Sequence, residues 1–253
     1  MNRKYTRVGI VTGATSGIGE STARKFVAEG FGVVGTGRNA EKLKVLEGEL
    51  GAAFCGVAGD GADEKVLDQL FSSAVERFGR EADVVVVNAG LGLKGSVKDA
   101  DLSELDNVLR INVKGATLLM QKAARKMVEA QDKNFPEKAA DIIVVGSVVG
   151  QHISPFSAVY GSTKFAVHAL TEGLRRDVGP KGVRVSLVKP GIVISGFQDA
   201  ANYSDDMVQG FHKNFGPLLV GEDIADAIYT LVIQPPHVHI SEITVRPTRQ
   251  NYP

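Results

Sequence analysis

The chain has 253 residues, 43% of them hydrophobic, and its 29 basic and 29 acidic side chains give a formal net charge of zero. This balance excludes the strongly basic surface typical of nucleic-acid binding, and no apolar run reaches the ~20 residues of a membrane-spanning helix. The single cysteine, Cys55, excludes an internal disulfide, and the N-terminal MNRKYTR lacks an apolar signal region, which is consistent with the cytoplasm.

Short apolar runs alternate with amphipathic segments along most of the chain. The predicted strands are Val8–Val11, Phe31–Thr36, Ala53–Val57, Val84–Val87, Ile142–Val145, Val183–Val188 and Ile240–Val245. The predicted helices are Glu20–Glu29, Glu41–Leu50, Asp63–Phe78, Leu102–Ala130, Ala158–Val178 and Glu222–Ile233.

The predicted strands are apolar throughout instead of alternating with polar residues. This pattern indicates burial on both faces, as in a parallel sheet covered by helices. The sequence therefore predicts an α/β fold, a single doubly wound Rossmann-type domain over residues 1–253 with a seven-stranded parallel sheet flanked by helices. Cys55 is expected to be a buried, inert thiol, and the polar stretch Gln131–Ala140 a surface loop.

The first strand ends in a glycine-rich turn, TGATSGIG, in which Gly13, Gly17 and Gly19 lead into the first helix. Glycines let the backbone approach a pyrophosphate, and the N–H groups at the start of a helix face the anion. The spacing is GxxxGxG and not the usual dinucleotide fingerprint GxGxxG, so the turn alone is weak evidence. Its place between a strand and a helix near the N-terminus favours dinucleotide binding over a plain strand–helix turn.

The end of the second strand bears on the choice of cofactor. A carboxylate roughly twenty residues after the glycine turn would accept the 2′-hydroxyl of NAD, but Arg38 stands there. The cation and the missing carboxylate together favour NADP over NAD. The alternative is that Arg38 is a solvated loop residue. The neighbouring Asn39 is predicted to cap the following helix.

Ser147 follows the fifth strand, Tyr160 lies thirteen residues further on, and Lys164 four residues after that. Residues i and i+4 of a helix share one face, so Tyr160 and Lys164 can contact one ligand. The pKa of a phenol is near 10, unless a positive charge such as that of Lys164 favours the phenolate. Ser147 would then orient a substrate oxygen while Tyr160 exchanges a proton with it during hydride transfer by a nicotinamide. The alternative is a serine at a strand end beside an ordinary amphipathic helix.

These motifs resemble those of the short-chain dehydrogenase/reductase family. The glycine turn matches its TGxxxGxG, and GSVVG, the thirteen-residue gap and YGSTK match its catalytic set. Asn88–Gly90 resembles its NNAG motif with Val87 in place of the first asparagine, and Asn112–Gly115 resembles its N(V/L)xG. Pro190–Ser195 is similar to PGxVxT, with serine replacing threonine. Together these resemblances cover the chain.

The resemblance implies the residues of the site. The catalytic residues would be Asn112, Ser147, Tyr160 and Lys164, with the backbone of Asn112 holding a water that passes protons from the lysine. NADP (NADPH) would contact Gly13, Thr15, Ser16, Gly17, Ile18, Gly19, Arg38, Asp60, Gly61, Asn88, Ala89, Gly90, Tyr160, Lys164, Pro190, Gly191, Ile192, Val193 and Ser195. Asp60 resembles an adenine-contacting aspartate, with an ordinary turn aspartate as the alternative.

The family's substrate lid corresponds to residues of about 192–220, whose aromatic content predicts a fairly apolar substrate wall. The small-molecule substrate, a ketone, aldehyde or keto acid with its alcohol, would contact Ser147, His152, Tyr160 and Phe197. The C-terminal ITVRPTRQ is similar to bacterial members that act on 3-hydroxy acids. Arg246 or Arg249 would then bind a carboxylate, or the stretch is a surface tail.

The resemblance also implies a homo-oligomer, commonly a tetramer, built on the predicted helices Leu102–Ala130 and Ala158–Val178. Two other functions remain as alternatives. One is a non-catalytic NADP-binding regulatory protein on the same fold, which the intact serine, tyrosine and lysine disfavour. The other is dehalogenase-type chemistry, which Lys164 and the glycine turn disfavour. His237 and His239 alternate along an extended run without an apparent third ligand, so no metal site is predicted, and neither is a nucleic-acid or membrane partner.

Overall fold

The computed structural model describes residues 5–196 and 203–252. Its seven strands are β1 Val8–Thr12, β2 Gly32–Gly37, β3 Phe54–Ala58, β4 Val84–Val87, β5 Ala140–Val145, β6 Val183–Pro190 and β7 Glu242–Val245. They form one sheet in the order β3-β2-β1-β4-β5-β6-β7, and every pairing is parallel. The predicted seven-stranded parallel sheet of a Rossmann-type α/β fold is confirmed.

Helices cover both faces of this sheet. They are α1 Gly17–Ala28, α2 Ala40–Leu50, α3 Glu64–Phe78, α4 Leu105–Leu109, α5 Ala116–Asn134, α6 Ala158–Val178, α7 Asp205–Phe215 and α8 Gly221–Val232. The buried side chains of α3, α5 and α6 pack in one core with Ile10, and those of α1, α2 and α8 pack in a second core with Val11. Neighbouring residues of β1 thus enter opposite cores, which is why the strands are apolar throughout. No described helix has the length and apolar character needed to cross a membrane.

The order of the strands reverses between β1 and β4, and ligands of such sheets bind beyond the carboxyl ends of the strands at this point. Side chains tie the two strand ends together there. The Thr12 hydroxyl accepts hydrogen bonds from the backbone N–H groups of Asn88 (3.0 Å) and Ala89 (3.1 Å). The Asn88 amide in turn donates to the Thr12 carbonyl at 2.8 Å. The floor of the crevice is therefore braced by the same residues that resemble the NNAG motif.

Three local predictions differ from the structure. Cys55, expected to be buried, is only partly buried because β3 lies at the edge of the sheet. The predicted helix Leu102–Ala130 is a 3-10 turn, α4, a π-helical segment Arg110–Gly115 and then α5. The predicted loop Gln131–Ala140 is wrong at both ends, because α5 continues to Asn134 and β5 begins at Ala140. The reason is that Gln131 is buried and donates to the carbonyls of Lys138 (2.9 Å) and Gly182 (2.7 Å), so its polar side chain finds partners inside the fold.

A buried ionic network lies at the opposite, amino-terminal edge of the sheet. Arg184 of β6 donates to both carboxylate oxygens of Asp141 of β5 at 2.7 and 2.9 Å, and Arg7 donates to the same carboxylate at 2.7 Å. Arg184 also donates to the carbonyls of Gln234 (2.9 Å) and Pro235 (3.0 Å), which follow α8. The network joins the amino-terminal ends of the central strands to the segment after α8, far from the crevice.

Candidate active site

A cavity of about 660 Å³ lies along the carboxyl ends of the strands. Of the residues predicted for the site, those that line it are Gly13, Thr15, Ser16, Gly17, Ile18, Arg38, Asp60, Gly61, Asn88, Ala89, Gly90, Ser147, Tyr160, Lys164, Pro190, Gly191, Ile192, Val193 and Ser195. Three predicted residues with described positions do not line it, and a fourth is outside the described part of the chain. Gly19 packs under the turn, Asn112 lies behind it, His152 is exposed to solvent, and Phe197 falls outside the described residues.

The glycine turn leads from β1 into the first turn of α1. Gly13 (φ 68°) and Gly17 (φ 51°) adopt left-handed conformations that favour glycine. A Cβ at Gly19 would lie 2.2 Å from the Gly13 carbonyl oxygen, so this glycine allows the turn to close on itself. Ser16 precedes the helix and makes no side-chain capping bond. The first N–H groups of α1 are thus left for another acceptor, which fits the pyrophosphate of a dinucleotide.

Arg38 and Asp60 lie at the far end of the cavity, after β2 and β3. Asn39 accepts a hydrogen bond from the Lys42 N–H at 2.9 Å, so the predicted helix cap is confirmed. One Asp60 oxygen accepts from the Ala62 N–H (2.9 Å) and the other from Arg110 (2.7 Å), so Asp60 is a turn aspartate that also lines the cavity. The hydrogen bond to Arg110 lowers the pKa of Asp60. Partial burial opposes this shift, and the charge of Arg38 adds to it.

The predicted serine, tyrosine and lysine meet in the cavity. Tyr160 and Lys164 lie one turn apart on α6, and the Tyr160 phenol is hydrogen-bonded to the hydroxyl of Ser147, which follows β5. The Lys164 ammonium donates to the Val145 carbonyl at 2.9 Å and lies 5.8 Å from the centre of the Tyr160 ring. A proton donor, a hydroxyl that can orient an oxygen and a cation therefore share one end of the cavity.

Burial dominates the titration of both Tyr160 and Lys164. Burial, followed by the neighbouring Tyr203, raises the pKa of the Tyr160 phenol, while the hydrogen bond to Ser147 lowers it by less. Burial also lowers the pKa of Lys164 to about 8. Burial disfavours the charged forms of both groups, and the expectation that Lys164 favours the phenolate stays a prediction. The raised pKa favours the neutral phenol of Tyr160, the form that can donate a proton.

Asn112 lies in the π-helical segment and holds the site together through its side chain. Its amide donates to the Leu91 carbonyl (2.8 Å) and the Thr163 hydroxyl (3.1 Å), and its oxygen accepts from the Leu91 N–H (2.8 Å). The side chain is 2% exposed, and the water expected on the Asn112 backbone stays a prediction. Asn112 therefore links the loop after β4 to the residue before Lys164, and short π segments such as this one occur frequently at functional sites.

Sequence reasoning missed His168, which stands at the next i+4 position after Tyr160 and Lys164. Its Nε2 accepts the Ser147 backbone N–H at 3.3 Å, and its ring is also hydrogen-bonded to the Gly150 backbone. Burial, and then the charges of Lys164 and Lys189, lower the pKa of His168 to about 4, so the ring is neutral at physiological pH. The repeated four-residue spacing was the available signal.

The lid region and the C-terminal segment complete the cavity. Tyr203 and the side chains of α7 line one part of it, and Gln250 and Tyr252 line another. The Gln250 side chain accepts the Ile192 N–H at 2.9 Å, and the Tyr252 hydroxyl donates to the Ile153 carbonyl. Sequence reasoning did not assign Gln250 or Tyr252, because only long-range contacts bring the C-terminus to this edge of the sheet.

The described residues contain no group of three histidine, cysteine, aspartate or glutamate side chains that could hold a metal ion. His239, whose alternation with His237 suggested a possible pair, has its Nε2 3.1 Å from the Val185 carbonyl oxygen. That contact is a structural one between the run before β7 and the neighbouring β6.

Comparisons with known proteins agree with this geometry. A family model described as short chain dehydrogenase matches residues 7–206. An uncharacterized oxidoreductase of Staphylococcus aureus is 34% identical over 242 residues, which cover 95% of this chain and 97% of that protein. One of Staphylococcus epidermidis is 30% identical over 247 residues, covering 98% and 100%.

Solved structures with the same architecture carry nicotinamide cofactors. The closed form of a serine dehydrogenase complexed with NADP+ superposes with a TM-score of 0.86 at 29% identity, covering 97% of this chain and 96% of the other. A 3-ketoacyl-(acyl-carrier-protein) reductase from Brucella melitensis complexed with NADH gives a TM-score of 0.87 at 28% identity, covering 97% and 98%.

Proposed function

Because the chain belongs to the short chain dehydrogenase family, we propose that it is an NADP(H)-dependent oxidoreductase that interconverts a carbonyl compound and its alcohol. The observation that carries the proposal is the convergence of Ser147, Tyr160 and Lys164 in a cavity that extends to the glycine turn. Reduction is the proposed direction in the cell, in the cytoplasm, where the NADPH pool is kept reduced.

The preference for NADP over NAD rests on the end of the cavity after β2. Arg38 is exposed there and has no carboxylate beside it in the sequence. Within the described residues its charge acts on Asp60, but Arg38 makes no direct hydrogen bond or ion pair, and Asp60 is bonded to Arg110 instead. A 2′-phosphate would give this guanidinium an anionic partner. Among the structural relatives, one was solved with NADP+ and another with NADH, so the choice for this chain depends on Arg38.

Each residue of the site has a distinct role in the proposed reaction. The bound cofactor would supply or take up a hydride at its nicotinamide ring. Tyr160 donates its phenolic proton to the carbonyl oxygen, and the Ser147 hydroxyl orients that oxygen. The Lys164 ammonium stabilises the phenolate that remains, and its position beside Tyr160 also suits hydrogen bonds to a ribose. Asn112 keeps the loop after β4 in place beside them.

The remaining predictions are part of the same proposal. One domain over residues 1–253 would use the segment of about 192–220 as its substrate lid, and α7 within that segment lines the cavity. A homo-oligomer would form through α4, α5 and α6, where large apolar side chains such as Leu109, Phe165 and Leu170 are exposed. His152 and Phe197 remain candidate substrate contacts.

A set of aldehydes, ketones and keto acids tests the proposal, with NADPH consumption followed by its fluorescence. We expect turnover by the wild type and a kcat at least about 1000-fold lower in Tyr160→Phe, with the Kd for NADPH within about twofold. NADPH binding without turnover of any compound by the wild type would instead support the alternative, a non-catalytic NADP-binding protein. Loss of NADPH binding alone in the variant would count against Tyr160 as the proton donor.

A further inference from the structure

The part of the cavity beyond Ser147 and Tyr160 is lined by uncharged side chains. Tyr203 and α7 contribute three aromatic rings, those of Tyr203, Phe211 and Phe215, together with Met207. The ring centroids of Tyr203 and Phe211 are 6.1 Å apart. The segment after β5 contributes Val148, Val149 and Phe156. The polar groups among them are hydroxyls and amides, which can hydrogen-bond to a neutral ligand without neutralising a charged one.

The charged residues that line the cavity lie elsewhere. Among the described lining residues they are Arg38, Asp60 and Lys164. Arg38 follows β2, and three strand spacings separate β2 from β5, so it lies roughly 14 Å from the serine end of the cavity. Lys164 is 7% exposed and already donates to the Val145 carbonyl. None of the three is placed to pair with a substrate carboxylate.

The arginines near the C-terminus do not supply the missing cation. Arg246 and Arg249 are absent from the described cavity lining, and Arg249 is exposed and donates to the Gly216 carbonyl at 3.1 Å. Residues 197–202, which lie outside the described part of the chain, have the sequence FQDAAN and contribute no basic side chain. The suggestion from the sequence that an arginine here binds the carboxylate of a hydroxy acid therefore has no support in the cavity.

We infer that the substrate is a neutral, largely apolar ketone or aldehyde with an aromatic or branched group, and not an oxo or hydroxy acid. This inference rests on the proposed function and names the substrate class of the same site. A carboxylate held against the α7 wall would lose its hydration without gaining a cation, which costs much more than the apolar contacts return. An ester or aryl group would instead bury apolar surface against the same side chains.

A matched pair of substrates tests the inference: methyl benzoylformate and benzoylformate, which share a carbon skeleton and differ in charge. We expect the kcat/KM of the wild type with NADPH to be at least about 100-fold higher for the ester. Equal values, or a higher value for the acid, would overturn the inference and leave the proposed oxidoreductase activity standing. If the wild type turned over neither of these compounds nor any compound of the wider carbonyl set with NADPH, both the inference and the proposed function would be overturned.

A charge introduced into the wall provides an internal control. Met207→Arg places a cation on α7 at the cavity and should raise the ratio of acid to ester kcat/KM at least about 10-fold. Gln209→Arg adds the same charge to the same helix at an exposed position outside the cavity lining, and should leave the ratio within about twofold. An unchanged ratio in Met207→Arg would remove α7 from the substrate wall and overturn the inference.

A different observation, the packing of His168, carries a second inference. The ring presses against the loop of Ser147 so closely that a Cβ at Gly146 would lie 2.3 Å from its Nε2, and a Cβ at Gly150 would lie 2.5 Å from its Cε1. The ring is hydrogen-bonded to the backbone of the same loop at Ser147, through Nε2, and at Gly150. The two glycines and these hydrogen bonds thus hold one short segment.

We infer that His168 is a positioning residue that sets the place of the Ser147 hydroxyl relative to Tyr160. A loop released by even about 1 Å would misplace the hydroxyl that orients the substrate oxygen, because catalysis depends steeply on such distances. The charged groups that face the ring are Lys164, Lys189 and Glu242, and the net positive field of the two lysines favours the neutral ring that can accept the Ser147 N–H.

His168→Leu and His168→Gln test this role. Leucine fills a similar volume without hydrogen bonds, so kcat should fall roughly 10- to 100-fold while the Kd for NADPH stays within about twofold. Glutamine supplies one acceptor and one donor and should recover most of kcat. A folded His168→Leu protein with unchanged kcat, or equal losses of kcat in the two variants, would overturn the inference in favour of a purely structural role.

Discussion

Replacing Arg38 by serine removes the one side chain on which the proposed preference for NADPH depends. Arg38 lines the cavity after β2, is exposed, and makes no hydrogen bond or ion pair within the described part of the chain. The fold should therefore not change, and any loss should fall on the cofactor that carries a 2′-phosphate.

The size of the effect follows from the exposure of the guanidinium. A hydrogen bond to a charged group contributes about 1.5–3 kcal/mol, and an exposed one lies at the lower end of this range because water and salt screen it. About 1.5 kcal/mol corresponds to a roughly 10-fold increase in the Kd for NADPH. The Kd for NADH should stay within about twofold. Arg38→Asp, which adds repulsion to the phosphate and an acceptor for a ribose hydroxyl, should reverse the preference toward NADH.

Isothermal titration calorimetry with both cofactors at physiological salt measures these changes. The chain contains no tryptophan, so the fluorescence of the reduced nicotinamide offers an independent readout. Lys44→Ser is the matched control, since it removes an equal charge from an exposed position on α2 outside the cavity lining. An unchanged ratio of the two Kd values in Arg38→Ser, or an equal change in the control, would refute the reasoning.

Three further outcomes are expected. Burial lowers the pKa of Lys164 to about 8, so its ammonium loses a proton as the pH rises through that value. The kcat/KM for NADPH should therefore decline above about pH 8, and a flat profile up to about pH 10 would contradict the role of Lys164. Arg184→Met breaks a buried ion pair with Asp141 and should lower the free energy of unfolding by about 3 kcal/mol and the melting temperature by roughly 6–12 °C. Arg176→Met, which breaks an exposed ion pair, should change the melting temperature little, and similar shifts of the two variants in a thermal melt would disprove the stabilising role of Arg184. Partial burial, and then the charge of Glu47, raises the pKa of the Cys55 thiol, which lies outside the cavity lining. Cys55→Ser should therefore leave kcat within about twofold, and a larger loss in folded protein would indicate that the thiol takes part in catalysis.

Much of the fold was predictable because its signals are local. Runs such as Val84–Val87 can be satisfied only by burial on both faces, and this requirement alone indicates a helix-covered parallel sheet. The four-residue spacing of Tyr160 and Lys164 puts the two side chains on one face of any α-helix. The residues after each strand also had to gather at one edge of the sheet, so the cavity was predictable in outline.

The features that were not predictable depend on long-range contacts. The π-helical segment around Asn112 has the same residue pattern as an ordinary helix and is held by Leu91 and Thr163, which are distant in sequence. The titration of Lys164 depends on how deeply α6 is buried and not on its neighbours in the chain. Gln250 and Tyr252 reach the cavity only because β7 places the C-terminal segment at its edge.

In the proposed reaction Tyr160 passes a proton to a carbonyl oxygen while NADPH is oxidised in the same cavity. Single-turnover mixing of the enzyme–NADPH complex with methyl benzoylformate, with NADPH fluorescence and the alcohol product measured together, tests it most directly. We expect one alcohol formed per NADPH consumed in the wild type, and a bound but unreacted cofactor in Tyr160→Phe. NADPH oxidation at the wild-type rate in Tyr160→Phe, or alcohol formation without NADPH oxidation, would rule out this role of Tyr160.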